Sequence, residues 1–274
     1  DFKLNINNIK IRIGGNVMPF PKIERVKYRK SPLENVICQL RFPPILSIDS
    51  EMPYLFQERI REEFPNFEEK LEIQQEVDIN NKVINPVAKL TPIKNYEFSS
   101  INNMWKINLT RTFMSISTKQ YSTWEEMLKW LEKPLSALNG IYKPAYFTRV
   151  GLRYIDIFCR SKLGLENSDW SELIQPYCLG MLGSEVAESL TEMSNIYEIL
   201  CDDKSSRISI KTDLVRRVDT NEQGFAIDSD VYTLDTIRIE DLTQKLEYLH
   251  ERSSRLLRFV ITDKLHQRME PENI

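Results

Sequence analysis

Hydrophobic and polar residues alternate along the segment 36–42, which is the pattern of a β-strand with one buried face. A second strand is predicted over 146–159, through the sequence RVGLRYIDIF. Shorter runs rich in β-branched and aromatic residues predict further strands, because these side chains pack well on a pleated surface. These strands cover 71–79, 83–90, 96–100, 105–109, 113–118, 196–201, 207–217 and 225–232.

Apolar residues at spacings of three and four predict helices between these strands. The first follows the strand over 36–42 and ends before Pro65. The second opens at a capping box formed by Ser122 and Glu125. A short helix is predicted near 170–179. The longest helix is predicted over 239–267, where an apolar stripe should lie across a large surface.

Both halves of the chain have the same predicted order of elements: a strand, a helix, several antiparallel strands and a long helix. The sequences QLRF at 39–42 and GLRY at 151–154 lie 112 residues apart (151 − 39) in the first strand of each half. We therefore predict an α+β fold built from an internally duplicated β-α-β(3-4)-α unit. The first repeat covers 18–144 and the second covers 145–274, and the two share one continuous body.

The predicted order of elements is similar to that of TATA-binding-protein-like (TBP-like) folds. In those folds two such units join into one curved antiparallel sheet with long helices on one face. A duplicated helix-grip fold would give nearly the same order, so both arrangements stay open. Neither fold implies a function by itself, because function depends on the residues of a site.

Residues 1–17 are interpreted as a non-native leader or start-site extension. The segment DFKLNINNIKIRIGG is rich in Asn, Ile and Lys, as a translated AT-rich leader would be. Two glycines and an Asn precede Met18 closely, and their codons can form a ribosome-binding sequence. The alternative is an N-terminal strand, because the isoleucines of this segment alternate in part.

Six segments of the chain carry a family resemblance. They are MPFPKIERVKYRKSPLENVICQLRFPPIL from Met18, FP at 64–65, YSTWEEM from Tyr121, RVGLRYID from Arg149, LH at 249–250 and FVITDKL at 259–265. At these segments the chain resembles a sporadically distributed family of uncharacterised bacterial proteins. The resemblance covers the chain from Met18 to its C-terminus. It implies no activity, and the scattered occurrence of the family implies mobile genetic elements or defence islands.

The composition is that of an ordinary globular protein. The chain has 274 residues, a formal net charge of −3 and a pI near 5.7. Proteins that coat nucleic acid through bulk electrostatics usually have a pI above about 9, so this class of protein is disfavoured. A local basic groove that binds nucleic acid stays open. No stretch approaches the roughly 20 apolar residues of a membrane span, and no apolar signal core opens the chain. We expect a cytoplasmic protein that binds no membrane.

The residues of standard catalytic and metal sites are scarce. The four cysteines form no CxxC pair, and no phosphate-binding glycine loop, nucleophile elbow or HExxH motif occurs. His250 and His266 lie 16 residues apart on one predicted helix, so they would point about 160° apart and could not share a metal. We assign no catalytic residue, no metal and no cofactor. His250 is kept as a possible functional residue, with a structural role at a helix-to-sheet contact as the preferred interpretation.

Two groups of basic residues are candidates for ligand or nucleic-acid binding. They are Lys27, Arg29 and Lys30 in a basic N-terminal arm, and Arg41, Arg149 and Arg153 in the two equivalent strands. Because side chains in a strand alternate, Arg149 and Arg153 share one face. Through the duplication, Arg41 and Arg153 could bind one anionic ligand from pseudo-symmetric positions. The alternative is that they form ion pairs with acids such as Asp156 or Glu97.

These observations favour a non-enzymatic binding or regulatory protein in a bacterial defence or toxin–antitoxin type system. It would engage a partner protein or nucleic acid through the sheet face or the basic arm. One alternative is an enzyme of unfamiliar type that acts on a phosphate-bearing substrate, with Arg41 and Arg153 on the phosphate and His250 or an acid moving a proton. Another alternative is a small-molecule sensor with an apolar pocket between the sheet and the long helix.

Overall fold

The computed structural model of the protein describes residues 20, 24–73 and 92–273. These residues form a mixed α and β structure around a nine-stranded antiparallel sheet. The strands of this sheet are β2 (Leu33–Arg41), β3 (Asn66–Ile73), β4 (Pro92–Ser99), β5 (Trp105–Leu109), β6 (Phe113–Thr118), β7 (Arg149–Phe158), β8 (Ser194–Leu200), β9 (Ser206–Arg216) and β10 (Gln223–Thr233). Their order is β3-β4-β5-β6-β2-β7-β10-β9-β8, so β2 and β7 are neighbours near the centre. β1 (Val26–Tyr28) and β11 (Pro271–Asn273) form a separate two-stranded sheet.

The two central strands confirm the predicted alternation. In β2 the side chains of Val36, Cys38 and Leu40 are buried, and the register places Leu152 opposite Cys38 and Val150 opposite Leu40. One face of the sheet is therefore apolar, because cross-strand partners point to the same side. The other face carries polar side chains and is called the open face. It includes Gln39, Arg41, Arg149, Arg153, Asp228 and Asp230.

Three helices pack on the apolar face. They are α2 (Tyr54–Ile60), α3 (Trp124–Ile141) and α7 (Leu242–Val260). The described residues also form the short helices α1 (Ser47–Ser50), α4 (Arg160–Leu163), α5 (Trp170–Leu173), α6 (Pro176–Leu179) and α8 (Asp263–Arg268). Phe56 of α2 packs against Phe98 of β4, with ring centroids 5.5 Å apart. Trp130 of α3 stacks on Trp105 of β5 at 4.8 Å. α7 lies against β7 and β10. The core therefore lies between this face and the helices.

The prediction of one helix over 239–267 is wrong. α7 and α8 are separated by Ile261, which is extended and bridges to the segment between α5 and α6, and by Thr262. The Thr262 side chain caps α8 by accepting a hydrogen bond from a backbone N–H of that helix. His250 and His266 therefore lie on different helices.

Prolines explain two further differences. The first helix was predicted to begin after Asp49 or Ser50, but α2 begins only after Pro53, and the short helix α1 precedes that proline. The helix predicted near 170–179 is divided into α5 and α6, with Pro176 at the first position of α6, because a residue that precedes proline disfavours helical dihedrals. The cap of α3 lies one residue later than predicted, since the side chain of Thr123 accepts a hydrogen bond from the backbone N–H of Glu126.

The edge of the sheet at β3 and β4 was predicted less well than its centre. β3 begins at Asn66 rather than at residue 71, because it pairs with β4 across residues whose charged side chains hide the alternation. The second part of the strand predicted over 71–79, the strand predicted over 83–90, and residues 1–17 lie outside the described residues. In the described part of the chain, no helix is long and apolar enough to cross a membrane.

Candidate functional site

A cavity of about 180 Å³ lies on the apolar side of the sheet, between β7, β10 and α7. The period of two along β7 turns Tyr154 and Asp156 into this space, together with Ser229 of β10. α7 closes the opposite side with His250 and Ser253. The remaining walls come from the start of α3 and from residues 24–31, which we call the N-terminal segment.

His250 organises one end of the cavity through a chain of hydrogen bonds. Its Nε2 lies 3.1 Å from the guanidinium group of Arg25, and its Nδ1 lies 3.1 Å from the hydroxyl group of Tyr154. A guanidinium group only donates, so Nε2 accepts and Nδ1 carries the proton that is donated to Tyr154. The rings of Tyr154 and Tyr121 meet edge to face with centroids 6.0 Å apart, so Tyr121 is the next polar group beyond Tyr154. The chain of donors therefore runs from Arg25 towards Tyr121.

The environment of His250 keeps its imidazole neutral. The ring stacks on Trp124 with centroids 4.4 Å apart and planes 8° from parallel. Burial, reinforced by the charge of Arg25, lowers the pKa of His250 to about 4. At neutral pH the imidazole is therefore uncharged and holds Arg25 and Tyr154 in place. The hydrogen bond between His250 and Tyr154 therefore joins α7 to β7.

The carboxyl group of Asp156 is the most unusual group in the cavity wall. The residue is only 5% exposed. Among the described residues, none donates a hydrogen bond to this carboxyl and none forms an ion pair with it. Burial raises the pKa of Asp156 from 3.8 to about 7, because loss of water disfavours the charged form. A buried titratable group of this kind in a cavity is typical of a binding or catalytic site.

The basic arm is tied to the C-terminus. β1 pairs with β11, and Lys27 lies opposite Glu272 in that register. Arg29 and Lys30 both form ion pairs with Glu270, at 2.8 Å for Lys30. The acidic partners of the arm are therefore residues of the same chain.

Tyr28 holds the N-terminal segment over the cavity through contacts with α8, and Phe20 makes a further aromatic contact before this segment. The Tyr28 hydroxyl lies 2.8 Å from Nδ1 of His266 in α8, and the two rings meet edge to face. Burial raises the pKa of Tyr28 to about 12, so its hydroxyl keeps its proton at neutral and alkaline pH. Phe20 packs on Phe259 at the end of α7, with ring centroids 4.9 Å apart. The segment thus closes one side of the cavity.

Two of the predicted arginines lie on the open face in ion pairs, with the sheet between them and the cavity. Arg149 donates to Asp230 at 2.6 Å. Arg153 donates to both carboxylate oxygens of Asp228, at 2.7 and 2.5 Å. The Asp228 hydrogen bonds are the main cause that raises the pKa of Arg153. Strand β10 therefore supplies the counter-charges of both arginines.

Arg41 lies directly across from Arg149, and its Nε donates to Gln39 at 2.9 Å. Burial and the positive charge of Arg149 lower the pKa of Arg41. The prediction that Asp156 or Glu97 pairs with these arginines is wrong. Asp156 points to the other face of the sheet, and Glu97 binds two lysines instead.

The acidic pair at the turn between β8 and β9 has a structural role. Asp203 accepts hydrogen bonds from the backbone N–H groups of Ser205 and Ser206, which fixes the turn. Asp202 accepts from the guanidinium group of Arg252 at 2.8 and 2.9 Å. The described residues contain no group of three or more His, Cys, Asp or Glu side chains that could hold a metal ion.

From the sequence, Asp156 was expected only as an ion-pair partner of the arginines and not as a residue of this site. The signal was present, because Asp156 is in phase with the buried Leu152 and the partly buried Tyr154 and out of phase with Arg153. Comparison of the chain with protein-family models, with curated proteins and with solved structures finds no match.

Proposed function

We propose that the protein binds a small molecule in the cavity between β7, β10 and α7. Of the functions expected from the sequence, this corresponds to the sensor with a pocket between the sheet and the long helix. The observation that carries the proposal is the buried carboxyl of Asp156 in the wall of that cavity, which has no partner among the described residues. Ligand pockets are typically apolar with a few placed polar groups, and Tyr154, Ser229 and Ser253 supply such groups here.

The size of the cavity limits the ligand. A dry cavity of about 150 Å³ holds one benzene molecule. A cavity of about 180 Å³ therefore suits a compact molecule of the size of benzene or somewhat larger.

An enzyme that uses Arg41 and Arg153 on a phosphate group has less support. His250 lies on the apolar side of the sheet, whereas both arginines lie on the open face. One active site that contains all three would require a substrate to reach through the sheet. The neutral His250 is also fully engaged by Arg25 and Tyr154, so neither ring nitrogen is left for a substrate.

Binding of a partner protein or nucleic acid, within a defence or toxin–antitoxin type system, stays a prediction. Its support on the open face is limited, because Arg149 and Arg153 are neutralised by acids of β10. Arg41 has no acidic partner within 4.0 Å among the described residues and is the best remaining candidate there. Fluorescence anisotropy with labelled DNA and RNA, on the wild type and on Arg41→Ala/Arg153→Ala, tests this directly.

The test of the proposed function is a cavity-filling variant. Ser253→Phe places a ring in the cavity from α7, and Gln244→Phe places the same ring on the exposed side of that helix as a control. A library of compounds with about six to ten non-hydrogen atoms is screened by thermal shift, and binding is then measured by calorimetry. We expect compounds that bind the wild type and Gln244→Phe but not Ser253→Phe. A compound at about 100 times its Kd stabilises the protein by about 2.7 kcal/mol.

Circular dichroism and urea unfolding check that Ser253→Phe remains folded. Hits that bind Ser253→Phe as tightly as the wild type would place the ligand elsewhere and contradict the proposal. A screen without any hit that depends on the cavity would contradict it as well.

We also propose that the two halves are copies of one unit, as in TBP-like or helix-grip folds. In the first half β2 is followed outwards by β6, β5, β4 and β3, and in the second half β7 is followed by β10, β9 and β8. Gln39 and Gly151, which are equivalent in the two halves, lie opposite each other in the register of β2 and β7. This supports a pseudo-twofold axis between those residues.

A further inference from the structure

We infer that the cavity selects a compact ligand with a protonated amine, whose ammonium group pairs with the carboxylate of Asp156. This inference rests on the proposed function, because it names the class of ligand for the same cavity.

In its buried position, the carboxylate of Asp156 needs a positively charged partner. Its side chain leaves β7 between the neighbouring strand positions of Leu33 and Ile227, both of which line the cavity. A buried carboxyl without a hydrogen-bond donor is costly, and native proteins normally pair such a group. The described residues provide no partner for it, and the cavity is the space into which a partner could enter.

None of the three described cations of the cavity wall forms an ion pair with Asp156, and two of them are engaged by other groups. Arg25 donates to His250 and lies 3.8 Å from a carboxylate oxygen of Glu125. Arg258 forms an ion pair with Asp263 and donates to a backbone carbonyl group. Lys27 is exposed. The positive charge that Asp156 lacks is therefore expected from the ligand.

The remaining wall suits an organic cation rather than a metal ion. Four aromatic side chains line the cavity, and the π-face of an aromatic ring attracts a cation. They are Tyr28, Tyr121, Trp124 and Tyr154. A metal ion requires several carboxylate, thiolate or imidazole ligands, and no such group of three exists in the described part of the chain. An amine on a small apolar body would match both the carboxylate and the aromatic walls.

The test uses three ligands of similar shape and different charge: phenethylamine, 2-phenylethanol and phenylacetate. Their affinities for the full chain are measured by calorimetry at pH 8, where the amine is protonated. We expect the amine to bind at least tenfold more tightly than the alcohol, because a charge-assisted hydrogen bond is stronger than a neutral one. The anion should bind more weakly than both.

Asp156→Asn should lower the affinity for the amine to that for the alcohol and leave the affinity for the alcohol nearly unchanged. Glu125→Gln removes another acid of the cavity wall and should keep the preference for the amine. Retained alcohol binding shows that Asp156→Asn is folded, so a lost preference cannot be attributed to unfolding.

Equal affinity of the wild type for the amine and the alcohol would overturn the inference while leaving the proposed function in place. A preference that survives in Asp156→Asn, or that is lost in Glu125→Gln, would also overturn it. If none of the three ligands binds, the inference is overturned as well. The proposed function is then decided separately by the comparison of Ser253→Phe with Gln244→Phe.

Discussion

Replacing Asp156 with Asn is expected to stabilise the empty protein at neutral and alkaline pH. The pKa of Asp156 is about 7 in the folded chain and is expected near its ordinary value of 3.8 in the unfolded chain. Between these two values the unfolded chain has released a proton that the folded chain keeps. The free energy of unfolding therefore falls as the pH rises through this range. The contribution of Asp156 to stability is complete below about pH 4 and is lost by about pH 7.

The magnitude follows from the two pKa values. One pKa unit corresponds to about 1.36 kcal/mol, so the full effect is about 4 kcal/mol. Asn has nearly the same shape and does not ionise, so Asp156→Asn should equal the wild type in stability near pH 4. At pH 8 it should be more stable, by an amount up to this value. Tyr28, His250, Glu24, Glu125, Arg25, Lys27 and Arg258 also line the cavity. They are present in both proteins, so their titration largely cancels in the difference.

The assay is urea unfolding at several pH values between 4.5 and 8.5, for the wild type, Asp156→Asn and Asp241→Asn. Asp241 is exposed and serves as the matched control. We predict that the difference in free energy of unfolding between Asp156→Asn and the wild type grows with pH, whereas the control shows no such growth. A difference that is constant across this range would refute the placement of Asp156 as a buried carboxyl without a partner.

Three further substitutions test the fold and the organisation of the site by urea unfolding. His250→Ala leaves Arg25 and Tyr154 without their partner, and we expect a loss of about 1–3 kcal/mol; an unchanged stability would contradict the hydrogen-bond chain. Arg153→Ala breaks a pair on the open face whose arginine is half-exposed, so we expect a loss below about 1 kcal/mol; a larger loss would give this arginine a role in the fold. Trp105→Ala removes a buried ring, and we expect a loss of about 3–5 kcal/mol; a loss near zero would contradict the packing of α3 on β5.

The centre of the sheet was predictable from the sequence because its signals are local. Alternation along β2 and β7 identified both strands and which of their residues face the core. The interruption between α7 and α8 was not predictable in the same way. Ile261 pairs with a residue distant in sequence, and the apolar stripe continues across the break. Tertiary pairing therefore overrode a regular local pattern.

The candidate site was predictable only in part. His250 was noted as a possible functional residue, but its hydrogen bonds join positions 96 and 225 residues away, which a local pattern cannot reveal. Arg149 and Arg153 were placed correctly on one face of β7. Their partners were not, because the pairing of β7 with β10 decides that Asp228 and Asp230 lie beside them.

The most direct test of ligand binding in the cavity is a crystal structure of the full chain with the best compound from the library screen. We predict electron density for the compound between α7 and β7, in contact with Ser253 and the carboxyl group of Asp156. Density for the compound on the open face or at another surface site, with none in the cavity, would contradict the proposed function.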